Sequence, residues 1–135
     1  MLDRLFNSTT IPAMEQVVNF AQTRHSVLAG NIANLDTPGY RVKDLSPEKF
    51  QERLKAALVE RDRSAESPSM AGVGQPDPLG ELGTGLEDLL YHDDSSGSME
   101  KQVAAISKNQ LQHNLALSIL TSQFRLLQTA ISERA

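Results

Sequence analysis

The last third of the chain carries the pattern that most limits its folding. Met99, Val103, Ile106, Gln110, His113, Leu117, Leu120, Phe124, Leu127 and Ile131 follow one another in unbroken steps of four and three. That period matches one face of an α-helix and no strand, and its a/d form predicts a helix seated along a partner of similar length. At 1.5 Å per residue the helix reaches roughly 50 Å. Ser98 is placed to cap its start, and Glu100 in the first turn suits the helix dipole.

A second line of the same kind runs near the other end: Met14, Val18, Ala21, His25, Leu28, Ile32 and Leu35. Thr10 is the candidate N-cap, with Pro12 in the first turn, where its missing N–H does no harm. Two heptad seams separated by a long insert predict an all-α fold, with the terminal helices forming an antiparallel coiled-coil hairpin around a small, partly disordered insertion. Residues 1–40 supply the first helix and its exit, 41–98 the insertion, and 99–135 the last helix. In the insertion, Ser46-Pro47 opens a short helix through Phe50, Leu54 and Leu58, predicted to end near Arg61–Arg63. Ser64–Gly85 is rich in Ser, Gly and Pro and reads as flexible. Leu86–Tyr91 reads as one short helix or strand before Asp93–Gly97 breaks the chain.

Charge is distributed unevenly. Residues 10–35 hold only Glu15 and Arg24, and residues 101–131 only Lys101, Lys108 and Arg125. The outer faces of both helices are instead Asn, Gln, Ser and Thr. Such faces are cheaper to desolvate than charged ones, which marks the helices as elements for assembly rather than the surface of a solitary monomer.

Where the first helix should end, the chain reads Leu28-Ala-Gly-Asn-Ile-Ala-Asn-Leu-Asp-Thr-Pro-Gly-Tyr40. Pro38 drives Thr37 out of the helical region, Pro-Gly favours a type II turn, and Asn34 and Asp36 can close the helix end. Asn31 and Asn34 share a helical face beside the small Gly30 and Ala33, a combination suited to close contact with a neighbouring backbone. The segment resembles the N-terminal signature of flagellar rod and hook subunits, close to N-I-A-N-x-x-T-P-G-Y. Arg41-Val-Lys-Asp-Leu45, Phe50-Gln-Glu-Arg-Leu54 and the helix from Lys108 to Phe124 resemble the FlgB-type rod branch in particular. The chain departs from that pattern at Ser95-Ser-Gly-Ser-Met-Glu100, where the family has an Asn-Asn-Val-Asp-like lead, and at His113, where it commonly has Tyr.

The resemblance implies a structural subunit of the proximal rod, the axial tube that carries motor torque. Asn31, Ala33, Asn34, Thr37, Pro38, Gly39 and Tyr40 would then contact neighbouring subunits. Other rod subunits and the adaptor between rod base and membrane ring would be partners. The flagellar type III apparatus would export the chain to the periplasmic rod without a cleaved signal, with Leu2, Leu5 and Phe6 as a candidate recognition segment.

Other classes find little support. A net charge of -4 argues against nucleic acid as partner. Cysteine is absent, which removes disulfides, thiolate metal sites and cysteine nucleophiles. His25, His92 and His113 lack metal-site spacing, no G-x-S-x-G occurs, and Gly72-Val-Gly-Gln is too short for a phosphate loop. No catalytic residue, cofactor, metal or small-molecule substrate is expected. Periodicity alone also fits a cytoplasmic helical adaptor that dimerises through its last helix.

Overall fold

The computed structural model describes residues 8–66, 77–93 and 98–133. Helices dominate: α1 (Ile11–Ala33), α2 (Pro47–Glu66), α3 (Pro78–Thr84) and α4 (Met99–Glu133). The all-α expectation misses one feature, a two-stranded antiparallel ribbon. Its strands β1 (Lys43–Leu45) and β2 (Leu90–His92) pair in the register Lys43–His92, Asp44–Tyr91 and Leu45–Leu90. A 3-10 turn, Leu86–Leu89, leads into β2.

The helix starts follow local chemistry. Ser98 Oγ accepts from the Lys101 N–H at 3.2 Å, and Ser46 Oγ accepts from the Lys49 N–H at 3.3 Å. At α1 the N-cap position is Thr10, as expected, but its side chain makes no cap, and Thr9 Oγ1 accepts from the Ile11 N–H at 3.3 Å.

The insertion is more structured than its composition suggests. α2 continues to Glu66, past the expected end. Within the stretch read as flexible, Asp77 Oδ1 caps α3 by accepting from the Leu79 N–H at 3.1 Å, and Pro78 occupies the first turn. Leu79 and Leu82 then pack on Ala57, with Leu54 and Leu58 at the margin. Two well-spaced leucines and a cap outweigh the turn-rich composition around them. The rest of that stretch, residues 67–76, and residues 94–97 of the predicted break lie outside the described residues. The main core is also here: Phe20 of α1 stacks on Phe50 of α2, centroids 4.2 Å apart, with Leu45, Leu86 and Leu89 around them.

α1 and α4 make the most extensive helix contact in the molecule. Their paired residues run in opposite chain order, Asn31 with Gln102 and Ala21 with Asn109. Met14, Ala116 and Ile119 line one cleft farther along.

Candidate assembly surface

At the end of α1 the turn closes as the sequence implies. The Tyr40 N–H donates to the Thr37 carbonyl at 3.1 Å, and Gly39 between them has φ 76°, a conformation that Gly reaches without steric cost. Asn34 is the C-cap: its backbone N–H bonds the Gly30 and Asn31 carbonyls, and its Nδ2 donates to Gly30 O at 2.8 Å. Ala33, Thr37, Pro38 and Gly39 are exposed; Asn34 and Tyr40 are half-buried.

Asn31 behaves differently. It is fully buried and uses both amide protons and both carbonyl lone pairs. Nδ2 donates to Lys43 O at 2.6 Å and to Gln102 Oε1 at 3.0 Å. Oδ1 accepts from the Lys43 N–H at 3.1 Å and from the Tyr40 hydroxyl at 3.1 Å. The amide thus bonds Lys43 as a neighbouring strand would, while tying the turn to α4. Within the subunit every polar atom of the Asn31 side chain is engaged. Beside it, Arg24 and Asp44 form a two-pronged ion pair at 2.8 and 2.9 Å between α1 and β1. Those bonds hold the Arg24 guanidinium above its ordinary pKa although burial opposes the charge. Composition shows Arg24 only as an isolated charge; its partner lies 20 residues on.

The inward face of α4 also differs from the apolar line. Its buried residues are Gln102, Asn109 and Ala116, seven apart. Ile106, His113, Leu120 and Leu127 of the predicted seam are half-buried beside them, but Val103, Gln110, Leu117, Phe124 and Ile131 are exposed. On α1, Ala21 and Leu28 are buried, Met14, Val18, Ile32 and Leu35 half-buried, and His25 exposed. The repeat of amides and a small residue at Gln102, Asn109, Ala116 and Gln123 was the signal available in sequence. Small side chains let the backbones approach, and Asn109 Nδ2 reaches the Ala21 carbonyl at 2.7 Å. His25 and His113 line one cleft of about 390 Å³ with Val18, Gln22 and Leu117.

The apolar residues that the seam does not use remain on the surface. Leu111, Leu115, Leu117, Phe124, Leu126 and Ile131 of α4 are all exposed, Leu111 to 71%. By their helical spacing Leu111, Leu115 and Leu126 fall on one side of α4, and Leu117, Phe124 and Ile131 on another. Among the described residues, no group of three or more His, Cys, Asp or Glu is arranged to hold a metal, and no helix is long and apolar enough to cross a membrane.

The sequence model of a family described as "Flagella basal body rod protein" matches residues 19–41, the stretch that ends in the Asn31 hub and the turn. The Flagellar basal body rod protein FlgB of Escherichia coli (strain K12) is 29% identical over 134 residues, 93% of each chain. Along nearly its whole length the chain is thus similar to flagellar basal body rod proteins. Similarity extends to the FlgB of Bacillus subtilis (strain 168), at 21% over 93% of this chain and 95% of that one. In the Aquifex aeolicus (strain VF5) FlgB it reaches 52%, over 31 residues that make up 23% of this chain and 25% of that one. The family is a structural one rather than a family of enzymes.

Proposed function

We propose that this rod subunit assembles through α4 and the turn at residues 37–40, with α1 and α4 acting as an antiparallel coiled-coil hairpin. The chain is a structural component of the flagellar basal-body rod, and α4 is the element best suited to join it to its neighbours. The observation that carries the reading is the set of exposed apolar side chains on α4, whose 35 residues include five charged ones, with only Lys108 and Arg125 between residues 102 and 132. Head-to-tail contacts through such a surface, with a rotation that does not close, wind subunits into a tube able to transmit torque. Gly30 supports close approach by a neighbour, since no atom lies within 4 Å of where its Cβ would stand and nothing inside the subunit requires glycine there. Of the signature residues, Ala33, Thr37, Pro38 and Gly39 are the exposed ones and the natural contacts.

Other rod subunits would cover α4, and the adaptor at the rod base would meet the first copies. Export through the flagellar type III apparatus to a proximal, periplasmic position fits the same role. Leu2, Leu5 and Phe6, the candidate recognition residues, lie outside the described residues. The helical-adaptor alternative draws no support from the relatives.

The test is complementation of a strain lacking this gene, scored by swimming and by electron microscopy of purified basal bodies. The native chain should restore rods and hooks. Leu117→Glu with Phe124→Glu should leave the free subunit helical by circular dichroism yet restore neither. Full restoration by that double variant would overturn the role of α4.

A further inference from the structure

The exposed turn and the C-terminal helix are far apart in sequence, yet they share one buried amide. Asn31 Oδ1 holds the Tyr40 hydroxyl at the end of the turn and the Lys43 N–H at the start of β1. The same planar group gives one Nδ2 proton to Lys43 O and the other to Gln102 Oε1, in the first turn of α4. Gln102 is itself buried, at 4% exposure, and Asn31 has no contact with water to replace a lost partner.

We infer that Gln102 is a positioning residue for the turn at residues 37–40: by docking against Asn31, α4 fixes the conformation in which the turn is presented. Saturation of the Asn31 amide is the physical basis of the coupling. With four partners the amide plane has a single satisfied orientation, and a buried donor left unpaired is costly enough to favour rearrangement. When Gln102 is absent, one Nδ2 proton has no acceptor. The amide can regain one only by tilting or by admitting water, and either movement strains its bonds to Lys43 and Tyr40. Tyr40 N–H also closes the turn onto Thr37 O, so release of the Tyr40 hydroxyl loosens the turn from its far end.

The consequence is an ordered sequence of maturation within the subunit. Until the C-terminal helix is seated, the exposed turn lacks its fixed form; once seated, the turn is ready for a neighbour. This consequence rests on the rod reading, whereas the coupling itself concerns the free chain alone and can fail independently of it.

Residue-resolved amide exchange by NMR on the full-length unassembled chain tests the coupling, because the N–H groups of Thr37, Tyr40 and Lys43 are all bonded and serve as probes. Gln102→Met keeps a similar volume and removes the acceptor. It should speed exchange at those three amides by tenfold or more, with the Phe50–Ala57 turns of α2 changed by less than twofold. Asn109→Leu, in the same buried line of α4 but without contact to Asn31, should leave the three amides within twofold of the native chain. Tyr40→Phe should speed Thr37 and Tyr40 while α4 near Gln102 stays protected. If Gln102→Met leaves the turn unchanged, or Asn109→Leu loosens it equally, the turn follows overall stability and the coupling is refuted. Complementation by Gln102→Met then separates the two ideas. Poor rod formation with a loosened turn supports both, and normal rods with a loosened turn retain the coupling while removing its role in assembly.

Discussion

The two faces of α1 are built on different terms. Toward the insertion, α1 offers Phe20 to a stacked Phe50 and Arg24 to a two-pronged Asp44, while at its end Asn31 makes four hydrogen bonds, to Lys43, to Tyr40 and to Gln102 of α4. Toward the middle of α4 it offers Ala21, met by Asn109 and flanked by clefts of about 320 and 390 Å³. There Asn109 Oδ1 and His113 Nδ1 are buried without a hydrogen-bond partner. Both asparagines are buried, but only Asn31 has every polar atom satisfied. A satisfied buried amide specifies one arrangement, and a half-satisfied one gives away part of what its burial gains. The contacts of α1 with the insertion are the better satisfied ones, and the middle of the helix pair leaves polar atoms unpaired and apolar side chains uncovered.

Substitutions on each face can break or sharpen that contrast. Arg24→Met strands the Asp44 carboxylate and should cost about 3–5 kcal/mol in urea unfolding, with much of the loss recovered in Arg24→Met/Asp44→Asn. Asn31→Ala removes the hub and should cost about 2–4 kcal/mol by the same measurement. Gly39→Ala, forced to keep a positive φ, should cost about 1 kcal/mol, confined to the turn. On the other face, Asn109→Leu gives up one bond but removes an unpaired oxygen, and should cost less than about 1 kcal/mol. Should Asn109→Leu destabilise as much as Asn31→Ala, hydrogen-bond satisfaction would not be what separates the two faces.

The smallest effect concerns pH. Burial, reinforced by the negative Asp44 and Asp93, raises the Tyr91 hydroxyl above its ordinary pKa of 10.0. Its contribution to stability is complete below pH 10 and is lost as pH rises through the folded value. Tyr91→Phe should flatten that alkaline limb slightly in a pH series of thermal melts, and leave neutral stability nearly unchanged.

Local chemistry made part of the structure readable in advance. The caps at Ser46 and Ser98, the turn at Pro38-Gly39 and the existence of both terminal helices depend on residues within a few positions of one another. The candidate surface was readable in the same way at Thr37, Pro38 and Gly39. Asn31 was singled out but its partners were not, because Lys43 and Gln102 lie 12 and 71 residues away. The capped Leu79–Leu82 helix was hidden by the Ser, Gly and Pro around it, since composition averages over the two leucines that decide the matter.

By itself the sequence determined that two long helices form, where they start and how the first one ends. Periodicity and capping act over one or two turns and need no partner. Only the tertiary structure decided which side of α4 faces inward. The apolar line at Val103, Leu117 and Phe124 was the obvious candidate, yet Gln102, Asn109 and Ala116 lie against α1. Hydrophobicity ranks faces by what they gain on leaving water, whoever covers them. Which face meets α1 depends on the partners α1 can offer: a buried amide for Gln102, a backbone carbonyl for Asn109, and close approach at Ala21.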